Sequence, residues 1–252
     1  MKLFKLNNLL NELLGIEKIK DASLNGIQVE GSSEIENIAF AVDINDGIID
    51  KAIEDNIDCI VVHHGMFWGS NYRIKGYVKK WIKKLLENDI TLYAIHLPLD
   101  IDDSIGNNAY LFNKLKLKNP EPLIEIGSNS IGLIGEYENK IEINEFFNIV
   151  RMEFGEIKNK IIKNDTIEKV AVLSGDPKSF IGDIQHKDFD LLLSGELTHQ
   201  IYFPIKNINK SFIFIGHFLS EVGGIILLKN FLEKKYSNEF NKLFIYKIDS
   251  NL

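Results

Sequence analysis

The chain has 252 residues, enough for one large domain or two small ones, each with a core of its own. Its composition is 45% hydrophobic and 26% charged, which is ordinary for a globular protein, and its net charge of -7 argues against a nucleic-acid binder. The single cysteine, Cys59, excludes an internal disulfide and fits a reducing compartment.

The N-terminus, Met1 to Asn8, interleaves apolar with polar residues and has no signal-peptide core. No window reaches the roughly 18 uninterrupted apolar residues of a membrane span, so a cytoplasmic protein is expected. Further along, short apolar runs of strand length alternate with helical patterns. The runs are 38–42, 59–62, 91–95, 170–173, 191–193, 211–215 and 243–248. The helical stretches include 48–54, 78–86, 109–115, 146–154 and 224–232. Strand and helix in alternation predict βαβ units and parallel pairing, with strands buried on both faces. Cys59 lies in such a run and reads as a core thiol.

The chain also repeats itself. Asp58 to His64 resembles Asp190 to Glu196, each an acidic residue, an apolar strand and polar groups at the strand's carboxyl end. Thr91 to Asp100 lies over Phe212 to Glu221, with His96 and His217 at the same place to within one residue. The expected architecture is α/β: two similar lobes with mixed, largely parallel sheets and a metal site in the cleft between them. The prolines and the Gly-Ser-Asn-Ser cluster within 120–130 place the junction there. The first lobe is then 1–124, carrying His63, His64, His96 and Asp100. The second is 125–252, carrying His217 and Glu221, and its final strand packs back on the first.

Ligands of open α/β sheets gather beyond the carboxyl ends of the strands. Four of the six histidines fall there: His63, His64, His96 and His217, with Asp100 and Glu221 each following a histidine four residues on. Imidazole and carboxylate suit Zn, Fe, Mn, Co or Ni. Five or six such side chains exceed the needs of one open site and suit two divalent ions about 3.5–4 Å apart. Adjacent histidines on a strand point to opposite faces, so His63 and His64 can share a site only where the backbone turns, and Gly65 is expected to allow it. The expected ligands are His63, His64, Asp100, His217 and Glu221. His96 and His199 are the candidates for acid–base work. Asp43 and Glu30 read as structural, and His186 as surface. No Walker loop or Gly-x-Ser-x-Gly elbow is present.

These motifs resemble a known family, the GTP cyclohydrolase I type 2 homologues or NGG-interacting-factor-three-like proteins. The match rests on 25–31 (Asn-Gly-Ile-Gln-Val-Glu-Gly), 62–68 (Val-His-His-Gly-Met-Phe-Trp), 96–100 (His-Leu-Pro-Leu-Asp), 106–109 (Gly-Asn-Asn-Ala), 194–196 (Ser-Gly-Glu) and 216–221 (Gly-His-Phe-Leu-Ser-Glu). They run through nearly the whole chain in family order, in the short bacterial, YbgI-type form. The resemblance implies two α/β lobes, a homohexameric ring and the same five ligands, with Glu221 a bridge between ions. It implies a metal-dependent, hydrolase-like activity on a nucleotide-like or phosphorylated small molecule. A metal-handling or metal-delivery protein without turnover would use the same ligands.

Overall fold

The computed structural model describes residues 1–69 and 73–247. The chain divides into two compact units: Met1–Leu99 with the segment that starts at Ile225, and Asp100–Gly224. The expected single cut after residue 124 does not match this division, because the chain leaves the first unit at Asp100 and returns to it at Ile225; residue 124 also lies inside a strand.

The first unit contains α1 (Leu3–Leu14), β1 (Gly26–Val29), β2 (Asn37–Asp43), α2 (Asp46–Glu54), β3 (Cys59–His64), α3 (Gly76–Glu87) and β4 (Thr91–Ala94). A short helix, α4 (Leu97–Ile101), carries the chain out of it. The second unit contains α5 (Asn107–Lys114), β5 (Lys118–Ile126), β6 (Asn129–Glu142), α6 (Ile143–Phe154), β7 (Asn159–Ile161), β8 (Thr166–Leu173), α7 (Ile181–Ile184), β9 (Leu191–Ser194), α8 (His199–Lys206) and β10 (Ser211–Phe214). Helix α9 (His217–Lys235) starts in the second unit and ends in the first, where β11 (Lys242–Ile245) follows.

Each unit has its own sheet. The first runs β1-β4-β3-β2-β11, with β4, β3, β2 and β11 parallel and β1 antiparallel at the edge. The second runs β5-β6-β8-β9-β10-β7, with β8, β9 and β10 parallel and the other three antiparallel. Among the parallel strands β4, β9 and β10 are buried throughout and β2 and β3 all but their ends, as strands covered on both faces must be, whereas β11 at the sheet edge is only half-buried. Ile60, Val62, Leu92 and Ala94 pack with Ile48, Ile49 and Leu85 in one core; Val170, Val172, Leu191 and Ile213 pack with Phe146 and Val150 in the other.

The Pro- and Gly-bearing stretch read as a junction is a hairpin. Gly127 and Ser128 form a two-residue turn between Ile126 and Asn129, and Gly127 supplies the positive φ of 62° that such turns need. Pro120 and Pro122 lie on β5, an edge strand, where a missing N–H costs no central ladder bond.

The internal repeat is visible in hydrogen bonds. The Asp58 carboxylate accepts from the backbone N–H groups of Glu36 and Asn37 at 2.9 and 2.8 Å. The Asp190 carboxylate accepts from those of Glu168 and Lys169 at 2.8 and 2.9 Å. In each half the next strand begins by donating to that aspartate's carbonyl, from Thr91 N and Ser211 N. Cys59 is in register with Thr91, and Leu191 with Ser211. Thr91 thus corresponds to Ser211, one residue earlier than the sequence overlay, and His96 corresponds to Gly216. By the same count Gly175, Gly195 and Glu196 stand where the first half has Asp43, His63 and His64.

Candidate metal centre

In the first unit the site residues follow the carboxyl ends of β2, β3 and β4. His63 and His64 are the last two residues of β3, His64 opposite Asp43 at the end of β2. His96 lies two residues past β4. The three imidazoles cluster, with ring centroids 4.6 Å (His63–His64), 5.0 Å (His63–His96) and 5.6 Å (His64–His96) apart. Each offers one ring nitrogen to a group whose atoms all lie within 4.8 Å of one another. Trp68 closes one side, its ring edge-on to His96 at 4.8 Å and its Nε1 donating to the Gly65 carbonyl at 2.9 Å.

The turn expected from Gly65 has a different cause. Gly65 has no positive φ; instead, a Cβ there would come within 2.4 Å of Gln28 Oε1. That oxygen accepts from Met66 N and Phe67 N at 2.7 and 3.2 Å, so the Gln28 amide holds the chain as it leaves β3.

Each histidine of the cluster has its Nδ1 against an oxygen. His63 Nδ1 is 2.9 Å from the Ile95 carbonyl, His64 Nδ1 is 2.8 Å from Asp43 Oδ1, and His96 Nδ1 is 3.0 Å from both Asp21 oxygens. A carbonyl or an ionised carboxylate only accepts, so the imidazole proton belongs on Nδ1 and the lone pair on Nε2. Histidines that ligate metals are commonly held this way. Asp21 is buried, and its burial alone would raise its pKa. The His96 ring, Asn25 and the Leu97 N–H outweigh that cost and hold it at about 2.

In the second unit the groups are mainly carboxylate. His217 and Glu221 open α9 and, four residues apart, share one helical face, with Nε2 and Oε1 3.1 Å apart. On its other side His217 Nδ1 is 3.3 Å from Glu196 Oε2. Burial disfavours the imidazolium, but Glu221 and then Glu196 favour it more, and the pKa of His217 rises to about 9. Glu221 itself is buried. Gly175 makes room for it: a Cβ there would lie 2.5 Å from Glu221 Oε1, and φ is +66°. Ser220 Oγ accepts from Gly175 N at 2.9 Å and donates to the His217 carbonyl at 2.7 Å, tying the β8 end to the helix start.

Asp100, also buried, is oriented by its neighbours. Its Oδ1 accepts from Asn107 Nδ2 at 2.9 Å and Ser174 Oγ at 2.8 Å. Asn108 donates to the Asp100 carbonyl and accepts from Ser174 N, while Asn107 Oδ1 accepts from Gly224 N in α9. This explains the Asn107-Asn108 pair, which sequence reasoning left without a role. Reasoning from residue type also passed over Asp21, Asn25 and Gln28, whose neighbours arrive only through the fold, and it took Asp43 as merely structural.

Imidazole and carboxylate donors with mixed burial fit a first-row divalent ion better than the all-oxygen cages of calcium or magnesium. His/Glu clusters that could hold a metal are therefore present. His199 lies elsewhere: exposed at the start of α8, with its ring 6.3 Å from Phe203, it is in none of these clusters. Cys59 is fully buried; burial, then the charge of Asp58, pushes its thiol pKa up, as a core residue requires. Among the described residues no helix is long and apolar enough to cross a membrane.

Comparison with known proteins agrees with the geometry. A Pyrococcus horikoshii protein named "GTP cyclohydrolase 1 type 2 homolog" is 36% identical over 229 residues, covering 90% of this chain and 91% of that one. A Haemophilus influenzae protein of the same name is 36% identical over 239 residues, covering 94% and 95%. The solved structure of ybgI, a protein of unknown function, superposes with a TM-score of 0.89 at 29% identity, over 99% of this chain and all of the other. TTHA1606 of Thermus thermophilus gives 0.89 at 28% identity over the whole of both chains. The family model for Duf34/NIF3 (NGG1p interacting factor 3) matches residues 1–251, and the chain belongs to that family.

Proposed function

We propose that the protein holds two divalent metal ions close together on His63, His64, Asp100, His217 and Glu221, and uses them to hydrolyse a nucleotide-like or phosphorylated small molecule. The observation that carries the metal reading is the convergence of one ring nitrogen from each of His63, His64 and His96 within 4.8 Å of one another, on rings whose Nδ1 atoms are anchored. The substrate class follows the name of the curated relatives. Zn, Fe, Mn, Co and Ni all suit such donors.

Divalent ions bound there would lower the pKa of a water to about 7 and polarise a substrate oxygen. The protein's share is orientation and proton handling. Asn107 and Ser174 aim Asp100. Glu221, seated in the space that Gly175 leaves, is the candidate bridge between ions. His96 is the group assigned to carry the proton, and His199, on the exposed start of α8, is the second acid–base candidate. A homohexamer and a cytoplasmic location complete the proposal; a buried, unpaired thiol fits a reducing compartment.

The test starts from protein purified without added metal. Bound metal is measured by elemental analysis, removed with a chelator, and restored during assays on nucleoside phosphates and phosphoesters. Metal-restored turnover is expected, abolished in H63A/H64A and reduced more by H96A than by H199A. Two ions bound with no turnover on any class, together with rapid transfer to an apo acceptor, would replace the enzyme with a metal-delivery protein. A folded H63A/H64A variant with full metal content would overturn the ligand assignment.

A further inference from the structure

Asp21 lies outside the proposed ligand set, in the loop between α1 and β1, yet its carboxylate is almost completely buried, with 2% of the side chain exposed. A buried carboxylate requires compensation, and here every compensating group belongs to the segment that carries His96 or to the Asp21 loop itself. Oδ1 accepts from Ser23 N at 3.1 Å and Oδ2 from Asn25 Nδ2 and Leu97 N, both at 2.9 Å. Both oxygens lie 3.0 Å from His96 Nδ1. Asn25 completes the ring, its Oδ1 accepting from His96 N at 2.7 Å. Ring and backbone of His96 are therefore held from one point, and three obligate donors already use the carboxylate as an acceptor.

We propose that Asp21 is the positioning residue of His96: it keeps the imidazole proton on Nδ1 and presents the Nε2 lone pair to the cluster formed with His63 and His64. With His63 anchored by a carbonyl and His64 by Asp43, the first unit brings one ring nitrogen from each of three imidazoles within 4.8 Å of the others, a set suited to a nitrogen-preferring divalent cation such as Zn or Ni. Once a cation is bound, His96 is then a nitrogen donor in addition to the five residues proposed above, which replaces its acid–base role and leaves that role to His199. The three-donor reading rests on the proposed metal function, whereas the tautomer does not.

Two measurements test the proposal on the full-length chain. Long-range 1H–15N correlation spectra of the metal-free protein, at a pH where the rings are neutral, report which nitrogen of each histidine is protonated. The wild type is expected to show His96 protonated on Nδ1. Asp21→Asn, which can turn its amide N–H toward the ring, is expected to move the proton to Nε2 while His63 and His64 keep theirs on Nδ1. A wild-type His96 protonated on Nε2 overturns the assignment whether or not any variant folds. Zn(II) and Ni(II) affinities by competition titration form the second arm. D21N and H96A are each expected to weaken binding about 10–100-fold, and D21N is expected to add little in the H96A background. If D21N weakens binding as much without His96 as with it, Asp21 does not act through that ring. Unaltered affinity in both single variants, with the wild-type tautomer as expected, removes His96 from the metal set and leaves the positioning role. Loss of turnover alone would bear on the hydrolase reading and on neither arm.

Discussion

Replacing Gly175 by alanine puts one methyl group where the second unit has room for none. The new Cβ would sit 2.5 Å from Glu221 Oε1, at a φ of +66°. Ordinary carbon–oxygen contact begins roughly 1 Å further out, so the carboxylate has to retreat by about that much. The left-handed backbone adds roughly 1 kcal/mol for a residue with a Cβ, and crowding in a packed interior adds about 1–3 kcal/mol. G175A should therefore lose about 2–4 kcal/mol, lowering the thermal midpoint by roughly 4–8 °C. Metal ligands tolerate displacements of only about 0.2 Å, so Zn(II) or Mn(II) affinity by competition titration should fall at least tenfold in protein that is still folded. G182A is the control, since nothing lies within 4 Å of a Cβ there and φ is not positive; its affinity and midpoint should stay near wild type. A G175A protein that binds metal within twofold of wild type would refute the reasoning, because Glu221 would then be either free to move or not a ligand.

Three further outcomes follow from the structure. The metal-free protein should lose stability as pH rises from 6.5 toward and through 9. His217 has a folded pKa raised to about 9, so its contribution is complete below its unfolded value of 6.5 and lost above its folded one. Urea midpoints at pH 6 and pH 9.5 should differ by on the order of 2 kcal/mol, allowing for partial exposure of the ring; a higher midpoint at pH 9.5 would contradict the sign. Asp190→Ala removes the acceptor of two backbone N–H groups at the start of β8 and should cost about 2–3 kcal/mol by urea unfolding without changing first-unit histidine tautomers. Cys59→Ser buries a hydroxyl in an apolar strand and should destabilise by about 1–3 kcal/mol, with unchanged metal affinity read by titration.

The central parallel strands were legible because their burial on both faces leaves uninterrupted apolar runs, as at Ile60 to Val62 and Leu191 to Leu193. Of the edge strands, β11 is marked by the apolar run at 243–248, but β5 carries two prolines and mixed polarity, and its turn chemistry reads equally as a linker. Helix α1 buries Leu3, Leu6, Leu10 and Leu14 at helical spacing, a pattern that the intervening Asn and Lys residues obscure in the sequence. At the candidate site, residue type was enough to pick out the histidines, since imidazoles at strand ends are few. The residues that orient the site groups come from distant parts of the chain, Asp21 from 75 positions before His96 and Ser174 from 74 after Asp100, and no local pattern marks such pairs. The His-x-x-x-Glu spacing of His217 and Glu221 was read as a feature after a strand; as the first turn of α9 it places both groups on one face.

The repeat has a consequence for which cations the protein would select. At equivalent strand ends one half carries Asp43, His63 and His64, and the other carries Gly175, Gly195 and Glu196. One scaffold, used twice, thus places two imidazoles and a carboxylate in one copy and two glycines and a carboxylate in the other, where a second carboxylate, Glu221, fills the room that Gly175 leaves. Cations that favour nitrogen would draw most of their binding energy from the first copy, and oxygen-seeking ones such as Mn(II) from the second. Exchanging a single donor type, by His64→Glu or Glu196→His, would then shift the order of metal preference rather than abolish binding, so that cation choice becomes a property adjustable within one half of the chain.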